Sequence, residues 1–265
     1  MKLKTTSLAA LAAFTLAGSA SAAVLLTDNF NTAGNMEDGG FNLPANLTAD
    51  QSGPAATKSY TLANNGWTGT LQRGNDGNLH MAGNNVYASD IRASLNYDIA
   101  DVANTIGTAL EISFNMSVPA ENGDSWASFT VGGVNPQINS TATGFGSLFR
   151  KGGATEQWSN NASLGTTPTF TDGQLITFVL SDATGSGSAF DVSNGANDIV
   201  KMYVGATLAQ TFTGLDLDAT DQYISFRANN VIANIDNLQI SSIPEPGAAL
   251  LGGLGMLALL RRRRA

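Results

Sequence analysis

The chain lacks cysteine altogether and is poor in histidine and in basic side chains. It has no Cys, one His, and 13 Lys and Arg against 21 Asp and Glu. Without disulfides, its stability must come from a hydrophobic core. Zinc coordination and histidine-based catalysis have only His80 to draw on, which argues against both. The acidic balance disfavours nucleic acid as a partner.

The first 22 residues have the pattern of a cleaved export signal. Lys2 and Lys4 precede an apolar run at 8–18, and Ala-Ser-Ala at 20–22 offers the small side chains that a signal peptidase requires. The apolar run is too short for an uncleaved membrane anchor. The pattern predicts export and cleavage after Ala22.

The last 23 residues combine a proline-rich start, an apolar run and a basic end. In order they are Pro244, Glu245 and Pro246, the uncharged residues 247–260, and Arg261, Arg262, Arg263 and Arg264. As a helix, the apolar run spans roughly 21 Å against a hydrocarbon core of roughly 30 Å, and snorkelling arginines lengthen its reach. Arginines beside an apolar span stay in the cytoplasm, so the pattern predicts a transmembrane helix with the rest of the chain outside.

This three-part tail resembles the PEP-CTERM sorting signal of Gram-negative bacteria. The resemblance covers Pro-Glu-Pro at 244–246, the short Gly/Ala/Leu run and the terminal arginines. It implies recognition by an exosortase, transient anchoring in the inner membrane, and delivery to the cell surface or extracellular matrix of an exopolysaccharide producer. The chain then divides into a signal peptide (1–22), a body (23–242) and a sorting signal (243–265).

The body is acidic and has the sequence pattern of an all-β domain. It carries seven basic and 20 acidic side chains, a net charge of −13. Such a surface disfavours acidic polysaccharide and suits neutral polysaccharide or divalent cations. Short alternating stretches between turn residues predict one antiparallel β-sandwich of the jelly-roll type.

Several stretches carry this β pattern clearly. Leu110–Met116 alternates apolar and polar residues, which predicts one buried and one exposed face. Residues 175–180 are apolar on both faces, as in a central strand. Turns are predicted at 121–124, at Gly205-Ala206 between two strands, and at Asn229-Asn230, a pair that tolerates a type I′ turn.

Near the end of the body, the alternation of apolar and polar residues shifts by one position. Ile235 and Leu238 have opposite parity, so one extra residue must intervene, which predicts a β-bulge at Asp236-Asn237. A matching Asp28-Asn29 follows the first strand, and terminal strands of sandwiches often pair. Because calcium prefers carboxylate oxygens, Asp28 and Asp236 are the first candidates for a structural calcium ion, with turn-capping as the alternative role. Further candidates are Asp182, Asp191 and Asp198, and Asp216, Asp218 and Asp221.

The body also resembles concanavalin A-like (laminin-G-like) jelly rolls. The likeness rests on Asp-Asn-Phe at 28–30, Val-Lys-Met-Tyr-Val-Gly at 200–205 and Ile-Asp-Asn-Leu at 235–238. It covers the end of the body better than its beginning. The superfamily contains lectins, carbohydrate-binding modules and glycoside hydrolases, so the fold alone does not choose among them.

The residues argue against catalysis. A retaining glycosidase needs two carboxyl groups about 5 Å apart. The obvious strand, Leu110–Met116, carries only Glu111, and the laminarinase-like Glu-x-Asp-x-x-Glu pattern is absent. We therefore expect a non-catalytic exported surface or matrix protein associated with exopolysaccharide. A lectin-like carbohydrate-binding module is the alternative, and a glycoside hydrolase ranks third.

A carbohydrate-binding site needs an exposed aromatic ring on which sugar CH groups can stack. Of the three tryptophans, Trp126 is the best candidate because its parity is opposite to that of Ala127 and Phe129. This parity predicts that it faces outward beside Ser128. Burial on the second face of the sandwich is the alternative, since tryptophan is highly buried on average.

Overall fold

The protein is described here by a computed structural model that covers residues 22–30, 34–36, 51–53, 60–64, 69–73, 78–83, 91–95, 109–133, 138, 143–166, 168–182, 198–217 and 223–243. These residues form fifteen β-strands: β1 (Ala23–Asp28), β2 (Gly34–Met36), β3 (Gln51–Ser52), β4 (Tyr60–Asn64), β5 (Gly69–Arg73), β6 (Leu79–Gly83), β7 (Ile91–Leu95), β8 (Ala109–Gly132), β9 (Thr143–Phe149), β10 (Thr155–Ser159), β11 (Ala162–Gly165), β12 (Gln174–Asp182), β13 (Asp198–Val204), β14 (Thr207–Leu215) and β15 (Tyr223–Ile243).

Both predicted targeting segments lie almost wholly outside the described residues. Residues 1–21 and 244–265 are outside the described residues. Trp67, Asp191, Asp218 and Asp221 are also outside them. Ile243, the first residue of the predicted sorting signal, is the last residue of β15. None of the described residues belongs to a helix long and apolar enough to cross a membrane.

The strands form two antiparallel layers that share β8 and β15. The first layer has the order β3-β1-β15-β8-β12-β13-β14. The second has the order β4-β7-β15-β8-β9-β10-β11. Strand β6 pairs with the middle of β15, β5 pairs with β6, and β2 pairs with β5. The predicted all-β antiparallel sandwich is confirmed.

The two long strands overturn two of the predicted turns. Residues 121–124 lie inside β8 and Asn229-Asn230 lies inside β15, where the register shifts between Asn229 and Val231. The predicted type I′ turn is therefore wrong: between the pairs Asn229–Trp126 and Val231–Glu121, β15 has one residue and β8 has four, which forms an irregularity in a continuing pair of strands. The physical reason is that both halves of β15 pair with β8, and this pairing outweighs the local turn preference of Asn-Asn.

The core lies between the layers and is rich in phenylalanine. Phe114 of the first layer contacts Phe226 of the second, with ring centroids 4.9 Å apart in an edge-on arrangement. Phe129 of the second layer stacks on Phe178 of the first at 4.8 Å and 7°. All four side chains are fully buried, as the alternating pattern of Leu110–Met116 predicts for Phe114. This core supplies the stability that disulfides do not.

The three other local predictions are confirmed. Residues 175–180 lie in β12, which pairs with β8 and β13 and is therefore a central strand. Gly205 joins β13 to β14 with a φ of 59°. The register of β15 against β8 shifts between Asp236 and Gln239, and Asn237 has a φ of 53°, so the predicted bulge is present.

Candidate functional site

The outer face of the first layer carries a row of uncharged polar side chains. Because alternate residues of a strand point to opposite faces, the residues between the core positions point outward. Pairing in register aligns five of them, one on each of β1, β15, β8, β12 and β13: Thr27, Gln239, Ser113, Thr177 and Tyr203. With neighbouring strands about 4.8 Å apart, the row extends over about 19 Å.

Three hydroxyls of this row lack a hydrogen-bond partner among the described residues; Tyr203 is half-exposed, whereas Ser113 and Thr177 are only 8% and 9% exposed. Within the described part of the chain, no residue hydrogen-bonds to the side-chain hydroxyl of Ser113, Thr177 or Tyr203. The other two residues of the row are already engaged, since Gln239 Nε2 donates to Ser241 Oγ at 3.0 Å and Thr27 shares a hydrogen bond with Ser52. The free hydroxyls can each donate and accept a hydrogen bond.

A groove of about 300 Å³ opens beside Tyr203 on the same face. A second row aligned in register forms part of its wall, with Glu111 on β8 opposite Val179 on β12, and Val179 opposite Lys201 on β13. The residues that line the groove are Glu111, Thr177, Val179, Lys201, Tyr203, Gly205 and Ile243. Gly205 N–H donates to Leu175 O at 2.8 Å, which holds the β13–β14 turn at one end of the groove.

Glu111 is the only carboxylate among the residues that line the groove. Burial raises the pKa of its carboxyl group above the ordinary value of 4.5. Among the described residues, none forms a hydrogen bond or ion pair with this side chain. Lys201 lies two strands away, about 10 Å along the row, with Val179 between them.

Trp126 has the parity of the face of the second layer that points away from the core; it is half-buried, and its neighbour Ser128 on the same face is fully buried. The Arg227 guanidinium carbon lies 5.2 Å from the centroid of its ring, which is the geometry of a cation–π contact. Burial lowers the pKa of Arg227 to about 10. One face of the indole is therefore occupied by a cation from the same chain, and the role of Trp126 in ligand binding stays a prediction.

The two carboxylates of the predicted calcium site point to different faces of the first layer. Asp28 pairs with the buried Leu238, is itself fully buried, and its Oδ1 accepts a hydrogen bond from Phe30 N–H at 3.1 Å. Asp236 pairs with Asn115 on the outer face, and its carboxylate accepts hydrogen bonds from Asn237. The structure thus confirms that the end strands β1 and β15 pair, but it does not bring these carboxylates together. The shared calcium ion stays a prediction.

Of the remaining acidic candidates, the structure describes Asp182, Asp198 and Asp216. Asp182 and Asp198 face each other across β12 and β13, and both are buried. Asp198 Oδ2 accepts a hydrogen bond from Leu217 N–H at 2.7 Å. Nowhere in the described ranges do three or more His, Asp or Glu side chains come close enough to hold a metal ion.

His80 is half-buried and lies on β6, an inner strand between β5 and β15. Its Nδ1 lies 2.7 Å from Asn234 Oδ1. This contact fixes the ring against the neighbouring strand. The described residues therefore give His80 a side-chain contact with Asn234 of β15.

Sequence reasoning missed Thr177, Lys201 and Tyr203 as possible ligand contacts. Each has outward parity within its own strand, but so do many other polar residues of the body. The signal that separates them is the register of β13 against β12 and of β12 against β8, which brings them into line with Glu111 and Ser113. That register depends on pairing between distant segments.

No protein-family model and no curated protein matches this chain. Solved structures that are similar to it include the following three. A protein of unknown function, SO2946 from Shewanella oneidensis MR-1, has 13% identity and a TM-score of 0.46, over 92% of this chain and 96% of that one. Lectin II from Ulex europaeus has 13% identity and a TM-score of 0.45, over 80% of this chain and 98% of that one.

The third structure belongs to a study of botulinum neurotoxin type C, whose cell entry depends on two ganglioside molecules. It has 11% identity and a TM-score of 0.43, over 71% of this chain. The match spans 43% of the neurotoxin chain, which is therefore much longer than the matched region. Function in the present chain has to be argued from its own residues.

Proposed function

We propose that this chain is an exported, non-catalytic carbohydrate-binding protein whose binding surface is the outer face of the first layer. The observation that carries the proposal is the aligned row of uncharged polar side chains beside the groove. Sugars present many hydroxyls and weakly apolar CH faces. The unpaired hydroxyls of Ser113, Thr177 and Tyr203 can hydrogen-bond to sugar hydroxyls. The Tyr203 ring supplies a surface on which the CH face of a sugar can stack.

Two features of the row favour a polymer over a single sugar. Its length of about 19 Å exceeds the size of one sugar ring, and it crosses five strands of one rigid sheet. Sites on regular strands hold their side chains more precisely than sites on loops. An extended neutral polysaccharide that lies across the strands is therefore the ligand that we propose.

Hydrolysis of that ligand has little support from the groove. Glycosidases use a pair of carboxyl groups on either side of the bond that breaks. The groove lining contributes Glu111 alone, with Lys201 and Tyr203 as the other titratable side chains. Binding without turnover is the function that this set of residues favours.

Export and sorting complete the proposal and rest on the sequence of the two end segments. We propose cleavage after Ala22 by signal peptidase, then transient membrane anchoring and processing by an exosortase-type enzyme near residues 244–246. Amino-terminal sequencing and the intact mass of the native protein test this part. A mature protein that keeps Met1, or that stays in the cytoplasm, would contradict it.

Screening the purified protein against immobilised neutral polysaccharides tests the binding function. We expect Tyr203→Ala to weaken binding by roughly tenfold, since the loss of a stacking contact that contributes about 1.4 kcal/mol lowers the affinity tenfold. Tyr223→Ala is the matched control, because Tyr223 is also a half-exposed tyrosine but starts β15 in the second layer. Equal losses in the two variants would argue against the groove as the site.

A further inference from the structure

Glu111 differs from the other residues that line the groove because it is a carboxylate, and it is half-buried without a partner among the described residues. Val179 and Ser241 flank it on the neighbouring strands, and Ile243 completes the apolar side of the groove. Ser241 Oγ already accepts a hydrogen bond from Gln239. Within the described residues, no group donates a hydrogen bond to the Glu111 carboxylate, so its oxygens can accept hydrogen bonds from a ligand.

We propose that Glu111 is the specificity-determining residue of this surface: its carboxylate accepts hydrogen bonds from ligand hydroxyls and selects an uncharged glycan over an anionic one. This inference rests on the proposed function and names the ligand class for the same surface. Hydroxyl groups fill the unused acceptor positions with charge-assisted hydrogen bonds. A uronic acid or sulfate group at the same place meets a like charge in a partly desolvated groove.

The charged groups around Glu111 support this direction of selectivity. Two of the strands next to Glu111 present uncharged side chains to it: Thr177 and Val179 on β12, and Ser241 and Ile243 on β15. Among the described residues of the groove, the other titratable side chains are Lys201 and Tyr203, both on β13. Lys201 is about 10 Å away along the row, beyond Val179. It therefore attracts anions at the far side of the groove without neutralising Glu111 at the near side. The net charge of −13 on the body adds to the exclusion of anionic polymers.

Protonation changes the selectivity in a defined direction. Burial raises the pKa of Glu111, so its carboxyl group becomes neutral at a higher pH than an exposed glutamate does. Below that pKa, the neutral carboxyl group of Glu111 no longer repels an anionic group. Discrimination between neutral and anionic glycans must therefore fall as the pH is lowered.

The test uses oligosaccharides of glucose, galactose and mannose, each paired with the matching uronic acid oligosaccharide, on the full-length purified protein. Binding is measured near neutral pH and below the ordinary glutamate pKa of 4.5. Near neutral pH we expect the neutral member of a bound pair to bind roughly tenfold tighter or more, and Glu111→Gln to remove most of this preference. Glu156→Gln is the matched control, since Glu156 is a half-exposed strand glutamate of the second layer.

The outcomes separate this inference from the proposed function. Equal binding of both members near neutral pH, or an unchanged preference in Glu111→Gln, overturns the inference while carbohydrate binding stands. Failure of every oligosaccharide to bind at either pH overturns the proposed function and the inference with it. A second readout is the Glu111 carboxyl titration by NMR, in which a bound neutral glycan lowers the pKa because it binds the ionised form. A pKa that the glycan leaves unchanged also overturns the inference.

Discussion

Phe114 and Phe129 belong to the same strand, yet their rings lie 5.1 Å apart in a tilted arrangement. Two residues of a straight strand at this separation in sequence would be about 50 Å apart. The contact requires β8 to fold back between them, so that its first half lies in one layer and its second half in the other. The same strand therefore supplies both walls of the core at this point.

Truncation of Phe114 should be among the most destabilising changes in the protein. Its ring contacts Phe129, Phe149, Phe178 and Phe226 and is fully buried. We expect Phe114→Ala to lower the free energy of unfolding by about 3–5 kcal/mol in equilibrium urea denaturation. Leu208→Ala, at a residue that is 49% exposed, should change it by less than about 0.5 kcal/mol. A small loss at Phe114 would mean that the two halves of β8 do not pack as described.

Two adjacent glycines offer a matched pair of substitutions. Gly152 and Gly153 have φ angles of 82° and 90°, so alanine is strained at both. A Cβ on Gly153 would collide with the carbonyl oxygen of Phe170, whereas one on Gly152 meets nothing within 4 Å. We expect Gly152→Ala to cost about 1 kcal/mol and Gly153→Ala clearly more, as measured by thermal unfolding. Equal losses would show that the 150–153 turn does not pack against Phe170.

Trp126 has two possible roles that one variant can distinguish. Its contact with the Arg227 guanidinium predicts that Trp126→Ala lowers the free energy of unfolding by about 1–3 kcal/mol. We expect the folded variant to keep its carbohydrate binding, because Trp126 lies on the other layer from the groove. Loss of binding with the fold intact would establish the ligand-binding role that its sequence position suggests.

Glu111→Gln should stabilise the protein near neutral pH. A carboxyl group whose pKa is raised on folding contributes stability below its unfolded pKa, and this contribution is lost as the pH rises through the folded pKa. Burial raises the pKa of Glu111 above 4.5, so its ionised form at neutral pH opposes folding. The melting temperature of the variant should exceed that of the wild type near neutral pH, and the difference should disappear well below pH 4.5. A variant less stable at neutral pH would point to a partner for Glu111 that stabilises its charge.

Features with a local cause could be predicted from the sequence. The alternation of Leu110–Met116 has a period of two, so its buried face follows directly. The bulge at Asp236-Asn237 is visible because a strand cannot bury Ile235 and Leu238 on one side without an extra residue. The hairpin at Gly205 follows from a turn residue between two strand patterns.

Features that depend on pairing between distant segments could not be predicted. Asn229-Asn230 has the composition of a turn, but β8 pairs with the residues on both sides of it and keeps the strand continuous. The groove is a further case, because no property of Tyr203 in its own strand indicates that it lines the same groove as Glu111. The register of β8, β12 and β13 determines which residues line the groove together. That register is fixed because each strand must bury its apolar side chains on the core face of the sheet.

The central claim is that carbohydrate binds to the outer face of the first layer. The most direct test is an NMR titration of the labelled protein with a polysaccharide fragment that it retains in the screen. We expect the largest shifts at the backbone amides of Ser113, Thr177 and Tyr203 and at the Glu111 carboxyl group, with the Trp126 indole unchanged. Shifts concentrated at Trp126 and Arg227, with the first layer unaffected, would contradict the claim.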